Sequence, residues 1–273
     1  MTTLDTQVIA PGITRIAVPS DTLPPATSTN AWVLGGQQVF VIDPGGNSEA
    51  VREALLQALG DRQVLGIVLT HHHSDHIAGV AHLSSATGAA VWAHRDTVPM
   101  VPFQVGRTLH EDDVLQTDLG DWRAIHTPGH AVGHICLVRD DGHAVVGDLV
   151  AGDGTILLAP PEGHLATYLH SLQRMKATGI HTALPAHGPA LDAQRVLSTY
   201  LQHRGHRTQQ VVDVLAESPS EPLALAGRIY TDIPAAFHPI AAIQLRAHLT
   251  WLEEAGRADA HPDGTHSLRN HVD

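Results

Sequence analysis

The apolar run Ile67-Val68-Leu69 breaks directly into Thr70-His71-His72-His73-Ser74-Asp75-His76. A buried strand followed at once by this many ionisable side chains must end at an edge, because inside a core each would need a partner or lose its charge. Alternate residues of an extended chain project the same way, so His71 and His73 can converge on one point. Asp75 and His76, in the turn that follows, can face a neighbouring point. Imidazole nitrogens together with a carboxylate are a zinc-type donor set.

Three later junctions repeat the arrangement. Thr127-Pro128-Gly129-His130 puts a histidine in a tight turn after a strand. Val145-Val146-Gly147-Asp148 puts a carboxylate at the end of an apolar strand, where it is costly to bury alone. Leu184-Pro185-Ala186-His187-Gly188 ends another short strand on a histidine. A layered fold that gathers these strand ends along one edge brings together five imidazoles and two carboxylates, enough for two adjacent metal sites. His72 falls between two candidate ligands and is expected to point away from them. His134 is read either as a hydrogen-bond support or as a packed strand residue, and Tyr168 as a core residue of its helix in preference to one packed over the pocket.

The rest of the chain supports such layering. Val39-Phe40-Val41-Ile42 reads as a buried strand stopped by Asp43-Pro44-Gly45-Gly46. Ser48 is placed to cap a helix through Leu59, with Gly60 ending it. A helix is predicted from about Ile77 to Thr87 and a strand at Ala89-Val91-Trp92. Further strands are expected near Arg123-His126, His134-Arg139, His143-Gly147 and Thr182-Leu184, with a helix at Leu165-Thr178. Strand, loop and helix in this order indicate an α/β layered domain. From Leu191 to Ala216 the chain reads as helical, with a bend at Gly205. Two more helices, Leu223-Tyr230 and Ile240-Glu254, precede a strand-turn-strand ending at Arg269. Three helices and a hairpin suggest a winged helix.

Composition narrows the function. The 273 residues carry 16 basic and 28 acidic side chains, a net charge of −12, and Lys176 is the only lysine. That balance disfavours tight binding to nucleic-acid phosphates. The tail holds more acids than arginines, and its candidate recognition helix offers only Arg246 and His248, so DNA binding is not expected. No apolar stretch has the ~20 residues of a membrane span. No basic residue precedes Arg15, which argues against a presequence. The single cysteine, Cys136, sits in an apolar run and reads as a buried, reduced thiol of a cytoplasmic protein. Gly-x-Ser-x-Gly is absent, so no serine nucleophile is indicated.

His71-x-His73-x-Asp75-His76, followed by His130, Asp148 and His187, resembles the metallo-β-lactamase superfamily. The likeness runs over about residues 8 to 197. It implies an αββα sandwich with the site at one edge. Carried over position by position, His71, His73 and His130 would hold one metal. Asp75, His76 and His187 would hold a second, with Asp148 bridging and Asp43 supporting without ligating. The stretches Thr127-Leu137 and Tyr200-Arg207, with the winged-helix tail, are similar to the lactamase-β-like-2 group. The expected organisation is therefore a hydrolase domain over 1–197 and a winged-helix module over 198–273.

The function this implies is hydrolysis by a hydroxide bridging two zinc ions, with manganese or iron as alternative occupants. Asp75 would orient the nucleophile and shuttle a proton. A small ester, thioester or amide is the expected substrate. The alternative, suggested by endoribonucleases in the group, is single-stranded RNA. Persulfide dioxygenases of the superfamily use a single iron, but His76 and His187 favour two ions here. Arg204 and Arg207 could meet an anionic substrate at the domain seam or pair with acids on the helix surface. The residues set no oligomeric state.

Overall fold

In a computed structural model that describes residues 2–269, the chain begins with a meander. Strands β1 (Asp5–Ala10), β2 (Ile13–Pro19), β3 (Ser28–Gly35) and β4 (Gln38–Ile42) pair antiparallel in sequence order. Helix α1 (Glu49–Leu59) crosses back, with the Ser48 side chain accepting from Val51 N and Gly60 closing its end. Then β5 (Gln63–Val68) joins β4 in parallel. The predicted helix over 77–87 is instead two pieces, α2 (Ser74–Ile77) and α3 (Val80–Thr87). They part where Gly79 N bonds Pro44 O at 2.8 Å, pinning that break against the Asp43 turn. Parallel strands β6 (Val91–His94) and β7 (Arg107–Leu109) complete a seven-stranded sheet.

A second, six-stranded sheet follows. It contains β8 (Val114–Leu115), β9 (Trp122–His126), β10 (Ile135–Arg139) and β11 (His143–Gly147). After α4 (Leu165–Ala177) come β12 (Thr182–Pro185) and β13 (Leu191–Asp192). Helix α5 (Ala193–Glu217) runs on without interruption, so Gly205 does not break it. Helices α6 (Pro222–Ile229) and α7 (His238–Glu254) and the hairpin of β14 (Ala258–Ala260) with β15 (His266–Leu268) join α5 to form the tail.

The four layers follow from the period-2 alternation of strand side chains. In β3 and β4, Ala31, Val33, Val39 and Val41 face α1 and α3, whereas Trp32, Leu34, Phe40 and Ile42 face the other sheet. In β10, Ile135 and Leu137 meet them from the opposite side, and Cys136 and Val138 turn outward to α4 and α5. Strands buried on both faces read as continuous apolar runs. The product is the αββα sandwich, with a separate small core between the tail helices.

The two sheets are stitched together at one edge. Ile135 N donates to Thr70 O at 2.9 Å, and Asn30 N to Ala186 O at 2.7 Å. Through these bonds the ends of β5, β9, β11 and β12 share a rim, and each of those ends carries a predicted site residue.

Candidate metal centre

The ends of β5, β9, β11 and β12 bring all seven predicted ligands together in two overlapping groups. In the first, His71 Nε2 and His73 Nδ1 lie 2.9 Å apart, His130 Nε2 and His73 Nδ1 3.0 Å, and His130 Nε2 and His71 Nε2 3.3 Å. Four nitrogens around one zinc at ~2.0–2.1 Å would stand about 3.3 Å from one another. The triangle therefore has the dimensions of a coordination shell. In the second, His187 Nε2 is 3.4 Å from both Asp75 Oδ2 and Asp148 Oδ1. His76 Nε2 is 3.6 Å from the same two oxygens. Asp148 faces both groups, because its other oxygen lies 3.4 Å from His130 Nε2.

What lies behind the rings determines which nitrogens carry protons. His130 Nδ1 faces Leu157 O at 2.9 Å and His187 Nδ1 faces Ser28 O at 3.0 Å; a carbonyl only accepts, so both nitrogens donate. Thr70 Oγ1 donates to Asp43 Oδ2, which leaves its lone pair for His71 Nδ1–H at 3.0 Å. His76 Nδ1 is 2.8 Å from Asp43 Oδ2. With the four rear nitrogens donating, Nε2 is the atom each of these rings presents to the front, and the four converge on two points. Carbonyl- or carboxylate-backed imidazoles are the usual support of metal ligands.

Two further observations fit metal ions. His76 Nε2 and Asp148 Oδ1 are buried with no hydrogen-bond partner among the described residues, and both aim into the second group. A native interior seldom leaves such atoms orphaned. Burial, then the neighbouring imidazoles, holds His71 well below the ordinary histidine range and His73 down to about 3, so these nitrogens stay unprotonated. At His76 burial works in the same direction, but Asp43, Asp148 and Asp75 override it and raise its pKa. Burial alone would raise Asp148, yet His76, His130 and His187 hold its carboxyl well below the usual range. The first group is thus a neutral nitrogen trio and the second a carboxylate-rich pocket that attracts positive charge.

The supports are as ordered as the ligands. Asp43 sits at φ +50° in its Asp-Pro-Gly turn, and its Oδ1 takes Thr70 N at 2.7 Å. Gly129, at φ +129°, lies so close to α4 that a Cβ there would stand 2.4 Å from the Tyr168 backbone. His134 is a buttress: its Nδ1 meets Thr127 Oγ1 at 2.8 Å and its Nε2 accepts from Asp148 N at 3.1 Å. Tyr168 is buried and donates to Leu149 O. His72 turns toward Glu162, 3.5 Å away.

Several contributors escape a reading of the sequence. Asn30 donates to Pro185 O and Gly188 O and so holds the turn that carries His187. Thr29 Oγ1 donates to Asp75 Oδ2 at 3.3 Å. Glu162 reaches His73 Nε2 at 3.8 Å. None sits in a motif, because each is brought in by topology. The two readings of Arg204 and Arg207 both give way. Arg204 is 1% exposed and donates to Ile156 O with its guanidinium over Tyr168, while Arg207 stacks 3.8 Å over Tyr230. Their partners are carbonyls and rings, neither surface acids nor an open cleft.

The sequence matches the family model of the metallo-beta-lactamase superfamily over residues 24–187 and that of the beta-lactamase associated winged helix domain over residues 222–265. It is 27% identical over 250 residues to the Beta-lactamase-like protein 2 homolog of Drosophila melanogaster, covering 84% of this chain and 83% of that protein. It is 27% identical over 233 residues to an atrochrysone carboxyl ACP thioesterase of a Cryptosporiopsis species, covering 82% and 69%. Among solved structures, a beta-lactamase domain protein from Burkholderia ambifaria superposes with a TM-score of 0.85 at 24% identity, covering 97% of this chain and 94% of that one.

Proposed function

Because the chain belongs to the metallo-β-lactamase superfamily, as a hydrolase with a C-terminal winged helix domain, we propose that it is a dinuclear metal-dependent hydrolase of a small thioester, ester or amide. The observation that carries this is the convergence of imidazole nitrogens and carboxylate oxygens on two adjoining points. His71, His73 and His130 would hold one ion, and Asp75, His76 and His187 the other, with Asp148 between them. Zinc suits this nitrogen and oxygen set, and manganese or iron can occupy it in the cell. When bound, such ions polarise a substrate oxygen and activate water for attack.

The chain's own residues supply the rest. Asp75, which accepts from Thr29 Oγ1, would orient the attacking water and accept its proton. Exposure is graded across the groups: the His71 and His76 side chains are sealed, while His73 is about one-third exposed. Substrate would therefore arrive from the His73 side. Thioesters lead among the substrates because a relative carries the name of an acyl-carrier thioesterase. The net charge of −12 counts against RNA. Among the described residues no helix is long and apolar enough to cross a membrane, and the buried thiol of Cys136 accords with a cytoplasmic location. The proposed domains are 1–197 and 198–273, with the division falling within α5.

The test is an assay of zinc-loaded protein against acyl-CoA thioesters, aryl esters, anilides and a labelled single-stranded RNA, with Asp75→Asn alongside. Small-acyl hydrolysis should fall by about 10²-fold or more in the variant. RNA cleavage lost in the variant, with no acyl hydrolysis, would replace this reading with the nuclease. No turnover of any substrate by metal-replete protein would overturn it.

A further inference from the structure

Residues 155–159 belong to no helix or strand, so no ladder of backbone bonds fixes them. Yet the carbonyl of Leu157, in their midst, sets the ring of His130 through the 2.9 Å bond to Nδ1. The residues on either side of that carbonyl are gripped by the helical tail. Ile156 O accepts from the Arg204 guanidinium on α5. Leu158 N donates to Gln244 Oε1 on α7 at 2.9 Å. Arg204 is 1% exposed and Gln244 6%, and both are hydrogen-bonded across the seam rather than solvated.

We propose that Arg204 and Gln244 are positioning residues for the metal ligand His130, acting through the Ile156–Leu158 segment that they clamp on both sides of the Leu157 carbonyl. The tail then completes the first metal group from behind without touching an ion or substrate. Ring orientation matters because the Nε2 lone pair is directional: a backing carbonyl that drifts releases the tautomer and the aim together. Gln244 is the cleaner member to test. Its amide nitrogen has no partner among the described residues, so only its oxygen carries the bond.

This inference rests on His130 holding an ion as proposed above. Metal-free wild-type, Gln244→Leu, Gln244→Glu and Leu225→Ala chains are titrated with zinc against a chromophoric chelator, and with cobalt(II) while the visible spectrum is recorded. Gln244→Leu should weaken one of the two zinc steps by about tenfold or more and perturb the cobalt bands. Gln244→Glu keeps an acceptor for Leu158 N and should restore both. Leu225, fully buried in the tail's own core, lies outside the clamp; its loss should lower thermal stability and leave zinc affinity unchanged. Wild-type zinc affinity in Gln244→Leu, or an equal loss in Leu225→Ala, would overturn the positioning role alone. A wild-type chain that takes up no zinc would overturn the metal reading beneath it.

Discussion

Asp43 never needs to touch an ion to matter, because its two oxygens receive Thr70 N, Thr70 Oγ1 and His76 Nδ1, and through Thr70 they also fix His71. In Asp43→Asn an amide N–H faces donors already in place, so His76 is driven to carry its proton on Nε2 and loses its lone pair. The expected result is a second-ion affinity weakened by about 10- to 100-fold with an unchanged far-ultraviolet circular dichroism spectrum. A second-ion affinity equal to that of wild type would show that Asp43 does not set the tautomer. Burial pushes the Cys136 thiol up to about 12. At pH 8 only about one chain in 10⁴ then carries the thiolate, so a thiol reagent should label the folded protein negligibly and the denatured one fully. Most of the residue-level site could be read directly, because five imidazoles and two carboxylates recur at strand ends. Asp43 and His134 are legible as supports, but Asn30 and Thr29 look like ordinary polar residues of a strand until the fold places them beside His187 and Asp75.

At the scale of elements, β4, α1, β5, β10 and β11 were legible because their apolar patterns are bounded by glycine or by a cap. The sheet's first three strands were not predicted. β1 is an edge strand whose side chains are mostly exposed, and β3 opens on the polar residues Ser28, Thr29 and Asn30, which interrupt its apolar pattern. Turns carry sharper consequences. Gly129→Ala places a Cβ against the Tyr168 backbone at a φ that alanine resists, and should cost about 3 kcal/mol in denaturant unfolding. In the tail, His248 donates from Nδ1 to Thr208 Oγ1, and burial, then Arg204, Arg207 and His203, lowers its pKa from 6.5 to about 3. The unfolded chain thus binds this proton below pH 6.5 and the folded chain only near pH 3. The neutral form's contribution is complete above pH 6.5 and is lost as pH falls toward 3, at up to about 1.4 kcal/mol per pH unit. His248→Gln should flatten the acid side of the stability curve over that window. An acid slope equal to that of wild type would rule out this origin.

For the whole molecule, two sheets joined at one rim and a tail packed behind it make a single cradle for two charged points. The fold class was legible from the order of apolar strands and helices, whereas the clamp of the tail on residues 156–158 was not, since it depends on α5 and α7 lying beside a segment far away in sequence. If ions complete the cradle, their binding adds to its stability. Zinc at 100 times its dissociation constant should add about 2.7 kcal/mol per site, and chelation should lower the midpoint of thermal unfolding reversibly. The most direct test of the account is the metal content of zinc-loaded, desalted protein by mass spectrometry. Two zinc ions per chain are expected, falling to one in His187→Ala; fewer than two in the wild type, or two retained in that variant, would contradict it.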